Sequence, residues 1–194
     1  TIGRNSVLAV LHCKNAHGGH RHSAPLARAS VNGYRTAQHL LQLAHKFNRP
    51  IVVFTTAHTS LQDMCLANPH DALGFSNHLL SQWRLAVPLI LVVLSRWSSG
   101  DIFGAWLADK ILSLEQSRFS ITSFEHEHRV RLQVSAHQLL HRGIIDQTIP
   151  APFSKLHNSQ MTMPSPKQLH TALSTILEEI SHASLQELRR HRKE

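Results

Sequence analysis

Short runs of apolar residues alternate along this chain with segments in which apolar residues recur every three or four positions. The short runs predict buried β-strands, and the wider spacing predicts one-sided helices. The predicted strands are residues 7–11, 51–54, 89–94, 111–114 and 119–121. Strands and helices that alternate in this way are typical of an α/β domain and not of a β-sandwich.

Two of the predicted helices lie in the first half of the chain. Residues 33–47 place apolar side chains on one side of a helix that ends near Asn48, before Pro50 opens the next strand. Residues 72–83 repeat this pattern after Asp71, whose carboxylate can cap the first turn. Each of these helices leads into a predicted strand.

The C-terminal part of the chain predicts further helices, from about residue 166 to residue 194. They begin at Ser165-Pro166, where a capping serine precedes a proline in the first turn. The polar, proline-bearing residues 150–166 connect them to the preceding elements without marking a domain boundary. A length of 194 residues, 42% of them apolar, then predicts one domain with a sizeable core.

The net charge of the chain limits the kinds of molecule that it is expected to bind. The chain has 20 Lys and Arg against 12 Asp and Glu, a formal net charge of +8, so its surface should attract phosphates, acidic proteins or anionic cofactors. The only dense basic run is residues 189–193, and basic motifs interleaved with base-stacking aromatic residues are missing. These features argue against a nucleic-acid partner and favour a solvated basic face.

Cysteine usage and hydropathy predict a cytoplasmic protein. Cys13 and Cys65 show neither a pairing pattern nor metal-ligand spacing, which suits a reducing compartment. The first residues show no charged-then-apolar leader, and the apolar residues 85–94 are too few to span a membrane. We therefore expect no membrane association.

The candidate metal ligands in this sequence are histidines. Four of them lie close together with a spacing compatible with a transition metal, namely His12, His17, His20 and His22. A surface loop that contains glycine, in a chain with 17 histidines, explains the same pattern, so we expect no metal. His137 and His141, four apart on a predicted helix, are expected to be exposed.

The most informative segment is residues 87–110, in which an apolar strand runs into a turn of small residues and then a short helix. This arrangement directs backbone N–H groups to a point just past the strand. In α/β folds such points bind anions and acyl groups. The turn itself, residues 95–101, reads SRWSSGD.

Several short motifs resemble those of a known family, and they occur in the same order and at the same spacing as in that family. They are HCKN at residues 12–15, GYRTA at 33–37, KFNRPI at 46–51, RLAVP at 84–88, SFEH at 123–126 and IDQTIPAP at 145–152. The chain resembles the alpha subunit of the bacterial-type acetyl-CoA carboxylase carboxyltransferase over nearly all of its length. The resemblance implies a single α/β domain, residues 1–194, with a crotonase (ClpP)-like fold.

The resemblance also implies an activity and its partners. These enzymes transfer a carboxyl group from carboxybiotin on a carrier protein to acetyl-CoA, and malonyl-CoA forms for fatty-acid synthesis. The chain would pair with a beta-type carboxyltransferase subunit and the biotin carrier protein in a hetero-oligomer, or form a homodimer, with no cofactor or metal of its own. When CO₂ leaves carboxybiotin, the ureido oxygen becomes an anion that nearby backbone N–H groups must stabilise.

The oxyanion turn departs from the family pattern. The family reads GEGGSGG there, and only Ser99 and Gly100 coincide with it. The resemblance assigns the backbone of Ser98, Ser99, Gly100 and Asp101 to this turn. A residue other than glycine can still donate its N–H, but a left-handed conformation costs it about 1–2 kcal/mol. Turn-forming serines, and an aspartate that caps the next helix, are the purely structural alternative.

Three further residues are candidates for substrate binding. Lys14 matches a family lysine beside the cleft, Trp97 lies within the turn, and Glu125 lies where the family carries a similar motif. An exposed, salt-bridging lysine and a structural glutamate are the alternatives for Lys14 and Glu125. The Trp97 indole could instead fill the space that a ligand needs.

Other departures from the family keep two further functions open. Residues 56–62 lack the family's glycines and prolines, and a helix that the family carries is missing between His126 and Ala136. Together with the altered turn, these departures favour an alternative to the active carboxyltransferase component. In this alternative the chain is a catalytically degraded paralogue that serves subunit assembly or regulation. A third hypothesis is an anion-binding module for nucleic acid or a CoA-like phosphate.

Overall fold

The computed structural model describes residues 6–12, 31–55, 85–94, 97–98, 107–125, 128–150 and 165–182, and these show the expected mixture of strands and helices. In chain order the elements are β1 (Leu8–His12), α1 (Val31–Lys46), β2 (Ile51–Thr55), β3 (Leu89–Val93), β4 (Trp97–Ser98), β5 (Lys110–Leu114), β6 (Arg118–Glu125), β7 (His128–Ser135), α2 (Ala136–His141), β8 (Gln147–Ile149) and α3 (Pro166–His182). All five predicted strands are confirmed, as β1, β2, β3, β5 and β6.

Two sheets form the framework of the described residues. The larger has five parallel strands in the order β1-β2-β3-β5-β8. The smaller has three strands in the order β4-β6-β7, with β4 parallel and β7 antiparallel to β6. The strand predicted at residues 119–121 belongs to the smaller sheet and continues to Glu125.

Helices pack on both faces of the larger sheet, because its strands bury side chains on both sides. Successive residues of a strand point to opposite faces. Val52 and Ile90 lie in a core cluster with the apolar side of α3, whereas Ile51 and Leu89 lie in a second cluster with α1 and α2. Burial on both faces explains why these strands read as continuous apolar runs.

The end of α1 lies where the sequence predicts it. Asn48 adopts a positive φ of 49°, its N–H donates to the His45 carbonyl, and the Arg49 N–H donates to the Ala44 carbonyl. These two bonds form a Schellman motif, which satisfies carbonyl groups of the last turn. The chain then passes through Pro50 into β2, as expected.

Both later helices begin with a capping box. In α3 the Gln168 N–H donates to the Ser165 hydroxyl at 3.2 Å, and the Ser165 N–H donates to the Gln168 side-chain oxygen at 3.0 Å. The predicted start of this helix at Ser165-Pro166 is therefore confirmed. Ser135 and Gln138 make the same reciprocal bonds at the start of α2, the helix on which His137 and His141 were expected and on which both are exposed.

Some predictions fall outside the described residues. These are the helix at residues 72–83, nearly all of the connection at residues 150–166, the basic run at residues 189–193 and both cysteines. Where the structure does describe a helix, its apolar stretch is too short to cross a membrane.

Candidate active site at the carboxyl edge of the larger sheet

The five strands of the larger sheet all end at one edge, because all of them are parallel. In open parallel sheets, ligands bind in the crevice beyond the carboxyl ends of the strands. The predicted oxyanion turn, residues 95–101, follows β3, which is the central strand of this sheet. The end of β3 is therefore the point around which the candidate site is built.

One register row crosses the whole sheet close to this edge. It takes one residue from each strand, in the order His12, Thr55, Val93, Ser113 and Thr148. We call it the polar row, since every position except Val93 is polar. Two residues toward the amino edge, the corresponding positions on the same face are all aliphatic: Val10, Val53, Leu91 and Ile111.

The polar row places hydrogen-bonding groups inside the protein. Thr55 is only 8% exposed and Ser113 is fully buried, at 0%. A buried hydroxyl without a partner is costly, and the Ser113 Oγ donates to the Leu114 carbonyl at 3.2 Å. The interior of the sheet thus changes from aliphatic to hydrogen-bonding side chains where the strands end.

Backbone and hydroxyl contacts fix the point at which the chain leaves β3. The Leu94 N–H donates to the Thr55 carbonyl at 3.0 Å. The Ser117 hydroxyl, which is buried, donates to the Val93 carbonyl at 3.5 Å. The end of β3 is therefore held by β2 on one side and by the β5–β6 connection on the other.

The described part of the predicted turn, residues 97–98, is a strand. Trp97 and Ser98 form β4, which pairs in parallel with Phe119 and Ser120 at the start of β6. Phe119 is 1% exposed and belongs to the core cluster beside α1, so β4 is attached to a buried element. The turn thus carries the chain from the larger sheet to the smaller one before it returns to β5.

The structure separates the candidate residues that it describes. Trp97 and Ser98 lie in β4, beside the start of β6, whereas Glu125 is the last residue of β6. Glu125 lies five positions beyond Ser120, about 17 Å along β6 at the usual rise of a strand. Its register partner is His128 at the start of β7.

The other candidates, Lys14, Ser99, Gly100 and Asp101, lie outside the described residues. Their roles stay predictions. Lys14 follows two residues after His12, the end of β1 at the carboxyl edge. Ser99 directly follows Ser98, the last residue of β4.

Sequence reasoning missed most of the polar row. It treated His12 as one member of a histidine-rich loop, and it assigned no role to Thr55, Ser113 or Thr148. His12, Thr55 and Ser113 each end or nearly end a run of apolar residues, whereas Thr148 follows the polar Gln147. A polar residue at that position in several strands was the available signal, although the register that aligns them is visible only in the structure.

Charged residues at the opposite, amino edge hold the strands together. The Asp109 N–H donates to the Leu89 carbonyl at 2.7 Å, and the Leu89 N–H donates back to the Asp109 carboxylate at 2.8 Å. Asp146 repeats this reciprocal pair with Ile111, at 2.9 Å and 2.7 Å. Each aspartate directly precedes a strand and binds the first or second residue of the neighbouring strand, so these carboxylates have a structural role.

Lys110 links two elements at the same amino edge. Its Nζ lies 3.5 Å from the Asp146 carboxylate and 3.8 Å from the Glu179 carboxylate of α3. All three side chains are at least a fifth exposed, and such pairs contribute about 0–1 kcal/mol. In the described part of the chain, no group of three or more His, Cys, Asp or Glu side chains is arranged to hold a metal ion.

Comparison with known proteins gives one family match and many relatives. The family model described as acetyl co-enzyme A carboxylase carboxyltransferase-like matches residues 1–194. The acetyl-coenzyme A carboxylase carboxyl transferase subunit alpha of Chlorobium luteolum is 29% identical over 150 residues, which is 71% of this chain and 45% of the relative. The protein of the same name from Trichormus variabilis is 26% identical over 204 residues, 98% of this chain and 62% of the relative.

Solved structures establish the fold. Enoyl-CoA hydratase from Bacillus anthracis superposes with a TM-score of 0.58 at 11% identity, over 84% of this chain and 71% of that protein. A subunit of the Pseudomonas malonate decarboxylase hetero-tetramer superposes with a TM-score of 0.60 at 10% identity, over 97% and 77% of the two chains. At such low identity the likeness shows the fold alone, and this confirms the expected crotonase-like α/β architecture.

Proposed function

We propose a function for this chain from a premise that the family match establishes: the chain belongs to the acetyl co-enzyme A carboxylase carboxyltransferase-like family. The match over residues 1–194 is the observation that carries the proposal. The chain acts as an alpha-type component of an acetyl-CoA carboxylase carboxyltransferase. The chain spans 45% and 62% of the two alpha subunits compared above. The activity of those longer proteins is therefore a proposal for this chain.

The reaction moves a carboxyl group from carboxybiotin to acetyl-CoA. A carbon–nitrogen bond of carboxybiotin breaks, a carbon–carbon bond forms at the acetyl methyl carbon, and the proton lost from that carbon returns to biotin. Negative charge builds up on the ureido oxygen between these events. The contribution of this chain is a set of backbone N–H groups at residues 98–101 that stabilise this charge, a type of contact that can change rates 100- to 1000-fold, in round figures.

The contacts around β3 support this role. Charge stabilisation by backbone donors requires a turn whose position is fixed before the substrate binds. The bonds from Leu94 to Thr55 and from Ser117 to Val93 fix the start of the turn, and the pairing of β4 with β6 fixes residues 97–98. The described residues on either side of positions 95–96 are thus held by two different sheets.

The proposed partners follow from the family. The chain binds a beta-type carboxyltransferase subunit and receives carboxybiotin from a biotin carrier protein, so that acetyl-CoA and carboxybiotin meet in a hetero-oligomer. The malonate decarboxylase neighbour is named as a hetero-tetramer in complex with coenzyme A. That name supports an assembly of unlike subunits around an acyl-CoA.

One observation favours a second candidate function, that of a catalytically degraded paralogue that serves assembly or regulation. Trp97 and Ser98 stand where the family carries glycines, and strand pairing engages part of their backbone. Backbone groups that are bonded within a sheet are not free to bind an oxyanion. In this case the fold and the partner surface are retained without the activity.

Carboxyl transfer by the assembled complex distinguishes the two functions. The purified chain is mixed with a beta-type subunit, carboxybiotin and acetyl-CoA, and malonyl-CoA is measured. The matched variant restores the family's glycines by Ser95→Gly, Trp97→Gly, Ser98→Gly and Asp101→Gly.

Malonyl-CoA from the native chain supports the carboxyltransferase. Product from the glycine variant alone supports the degraded paralogue, since the turn is then the only defect. If neither forms product while a stable complex with the beta-type subunit is isolated, the chain serves assembly.

A further inference from the structure

The positive charge of this chain is concentrated in its first third. Residues 1–62 contain seven Lys and Arg and no Asp or Glu, whereas residues 63–194 contain 13 Lys and Arg against 12 Asp and Glu. Nearly all of the net charge of +8 therefore belongs to the segment that supplies β1, α1 and β2. Neither strand carries a Lys or Arg, so the described part of this charge lies on and directly after α1.

One side of α1 carries these basic residues. Arg35, His39, Gln42 and Lys46 follow one another at intervals of three or four residues, so they lie on the same side of the helix. All four are exposed, and the row that they form is about 17 Å long at the usual rise of a helix. Arg49, three residues beyond Lys46, is also exposed and adds a third permanent charge at this end. We call these five residues the basic stripe.

Within the described part of the chain, no acidic side chain is paired with the basic stripe. α1 itself contains no Asp or Glu, and both ion pairs found among the described residues belong to Lys110. The helix dipole accounts for a lysine in the last turn, but near the first turn it favours an acidic residue and not a basic one. Because Arg35 lies in the second turn, the stability of the helix does not explain the stripe.

An apolar edge runs beside the basic stripe. Phe47 is 62% exposed, and its N–H donates to the Leu43 carbonyl as in a further helical turn. Leu43 and Leu40, four and seven residues before it, lie on the same side of the helix and are half-buried. The Lys46 Nζ lies 5.9 Å from the centre of the Phe47 ring, a cation–π contact at which the apolar edge meets the stripe.

The charge and the apolar edge together identify the kind of partner. A second copy of this chain would bring its own excess of positive charge, and the longest acidic run in the sequence is the pair Glu178-Glu179. Like charges that face each other oppose association. A nucleic acid would contact the stripe through its phosphates but offers little apolar surface to Leu40 and Leu43. A protein helix with carboxylates on one side and apolar residues on the next matches both features.

We propose that the basic stripe and its apolar edge form a docking surface for an acidic, amphipathic helix of a partner protein. Carboxylates three or four residues apart on that helix match the spacing of the stripe, because the two helices have the same rise. Phe47 is the apolar anchor of the surface. Phe47, Lys46 and Arg49 directly precede β2, so they lie at the amino edge of the larger sheet, opposite the candidate active site.

Binding of designed peptides to the native full chain tests the proposal, with fluorescence anisotropy as the measurement. The probe is a helical peptide of about 14 residues, which is long enough to cover the stripe, with Glu along one side and Leu along the next. One matched peptide has Gln in place of every Glu, and a second has Ala in place of every Leu. These replacements keep residues that favour a helix.

The acidic amphipathic peptide should bind at least about tenfold more tightly than either matched peptide, because three exposed charge pairs and one aromatic contact each contribute modestly. Its affinity should fall as salt is added, since exposed charges are screened.

Two triple variants of the chain locate the binding surface. The test variant removes the permanent charges of the basic stripe, by Arg35→Gln/Lys46→Gln/Arg49→Gln. The control variant removes three exposed charges elsewhere, by Arg118→Gln/Arg142→Gln/Lys167→Gln. The test variant should lose about tenfold in affinity for the acidic peptide, and the control variant should keep its affinity. In the same way, Phe47→Ser should weaken binding and Ile144→Ser, at the other exposed large apolar residue of the described chain, should not.

The proposal is overturned if the native chain binds the acidic peptide no more tightly than its Gln counterpart, if it binds neither peptide, or if the two triple variants lose affinity equally. A double-stranded oligonucleotide of equal charge is the competing probe. If the native chain binds it more tightly than the peptide, and the stripe variant loses that binding, the stripe is a nucleic-acid surface and the proposal is wrong. Because the peptides are compared on the native chain, instability of a variant does not remove the test.

Discussion

Replacement of Asp109 by alanine should destabilise the protein, because it removes the buried hydrogen bond from the Leu89 N–H to the Asp109 carboxylate. Asp109 is 4% exposed and Leu89 is 3% exposed. The Asp109 carboxylate accepts the Leu89 N–H at 2.8 Å at the start of the central strand β3. In Asp109→Ala that N–H is left buried without this acceptor, while the reverse bond from the Asp109 N–H to the Leu89 carbonyl needs no side chain.

The expected loss follows from the charge and burial of the pair. A buried donor without its partner costs about 1–3 kcal/mol, and bonds to charged acceptors lie at the upper end, so we expect about 2–3 kcal/mol. Asp109→Asn keeps an oxygen acceptor and removes only the charge, so its loss should be about 1 kcal/mol. Asp146→Ala removes the equivalent bond to Ile111 and the ion pair with Lys110, but the Asp146 side chain is 27% exposed, so water can reach the vacated position and the ion pair contributes little. Its loss should therefore be smaller than that of Asp109→Ala.

Denaturant unfolding of the native chain and of these three variants, followed by circular dichroism, measures the differences in the free energy of unfolding. Glu178→Ala on the exposed side of α3 removes the same charge and should stay within about 0.5 kcal/mol of the native chain. For a domain of this size, each kcal/mol also lowers the Tm by about 2–4 °C. The reasoning is refuted if Asp109→Asn loses as much as Asp109→Ala, or if Asp146→Ala loses more than Asp109→Ala.

Three other substitutions test local features by the same unfolding measurement. Gly143→Ala should cost about 1 kcal/mol through its positive φ of 68° alone, because a Cβ there meets no atom within 4 Å; Gly143→Asn should cost less, and equal losses would contradict this cause. Ser165→Ala removes the hydroxyl of the α3 capping box and should cost about 1 kcal/mol, with Thr175→Ala, in the interior of α3, as the control that should not reproduce the loss. Ile176→Ala opens a cavity in the core between α3 and the larger sheet and should cost about 2–5 kcal/mol; a loss below 1 kcal/mol would mean that α3 does not stabilise the sheet.

The larger sheet was predictable because its strands are buried on both sides. Residues 51–54 and 89–94 are aliphatic or aromatic without interruption, and a run of that kind can only be a buried strand or a buried helix. Short length and the flanking Pro50 and Pro88 favour the strand. The helix ends at Asn48 and Ser165 were predictable for a similar reason, since both residues satisfy the backbone locally.

The smaller sheet was harder to predict. β7 does alternate, with Val130, Leu132 and Val134 between polar residues, and this period of two was a usable signal. The family comparison led instead to a missing helix in this region. β4 has only two residues, and a strand of that length carries no periodicity; the same holds for the three-residue β8, the one strand of the larger sheet that the sequence did not predict.

The candidate site was predictable only as far as it is local in sequence. The end of β3 belongs to one apolar segment, so the sequence predicts it, while the oxyanion role of the residues after it stays a prediction. The polar row depends on five strands being aligned in register, and that alignment is set by contacts such as those of Asp109 and Asp146 at the far edge of the sheet. Nothing in a single strand shows which residue of its neighbour it will face.

Fold stability and the proposed chemistry therefore depend on different residues. The described contacts that hold the end of β3 come from the Leu94 and Thr55 backbone and from Ser117, and none of them uses a side chain of residues 95–101. The turn can lose its family glycines without loss of the sheet. This is why a chain of this family can keep its architecture while its activity changes, and why we expect the glycine-restored variant to fold and to report on catalysis alone.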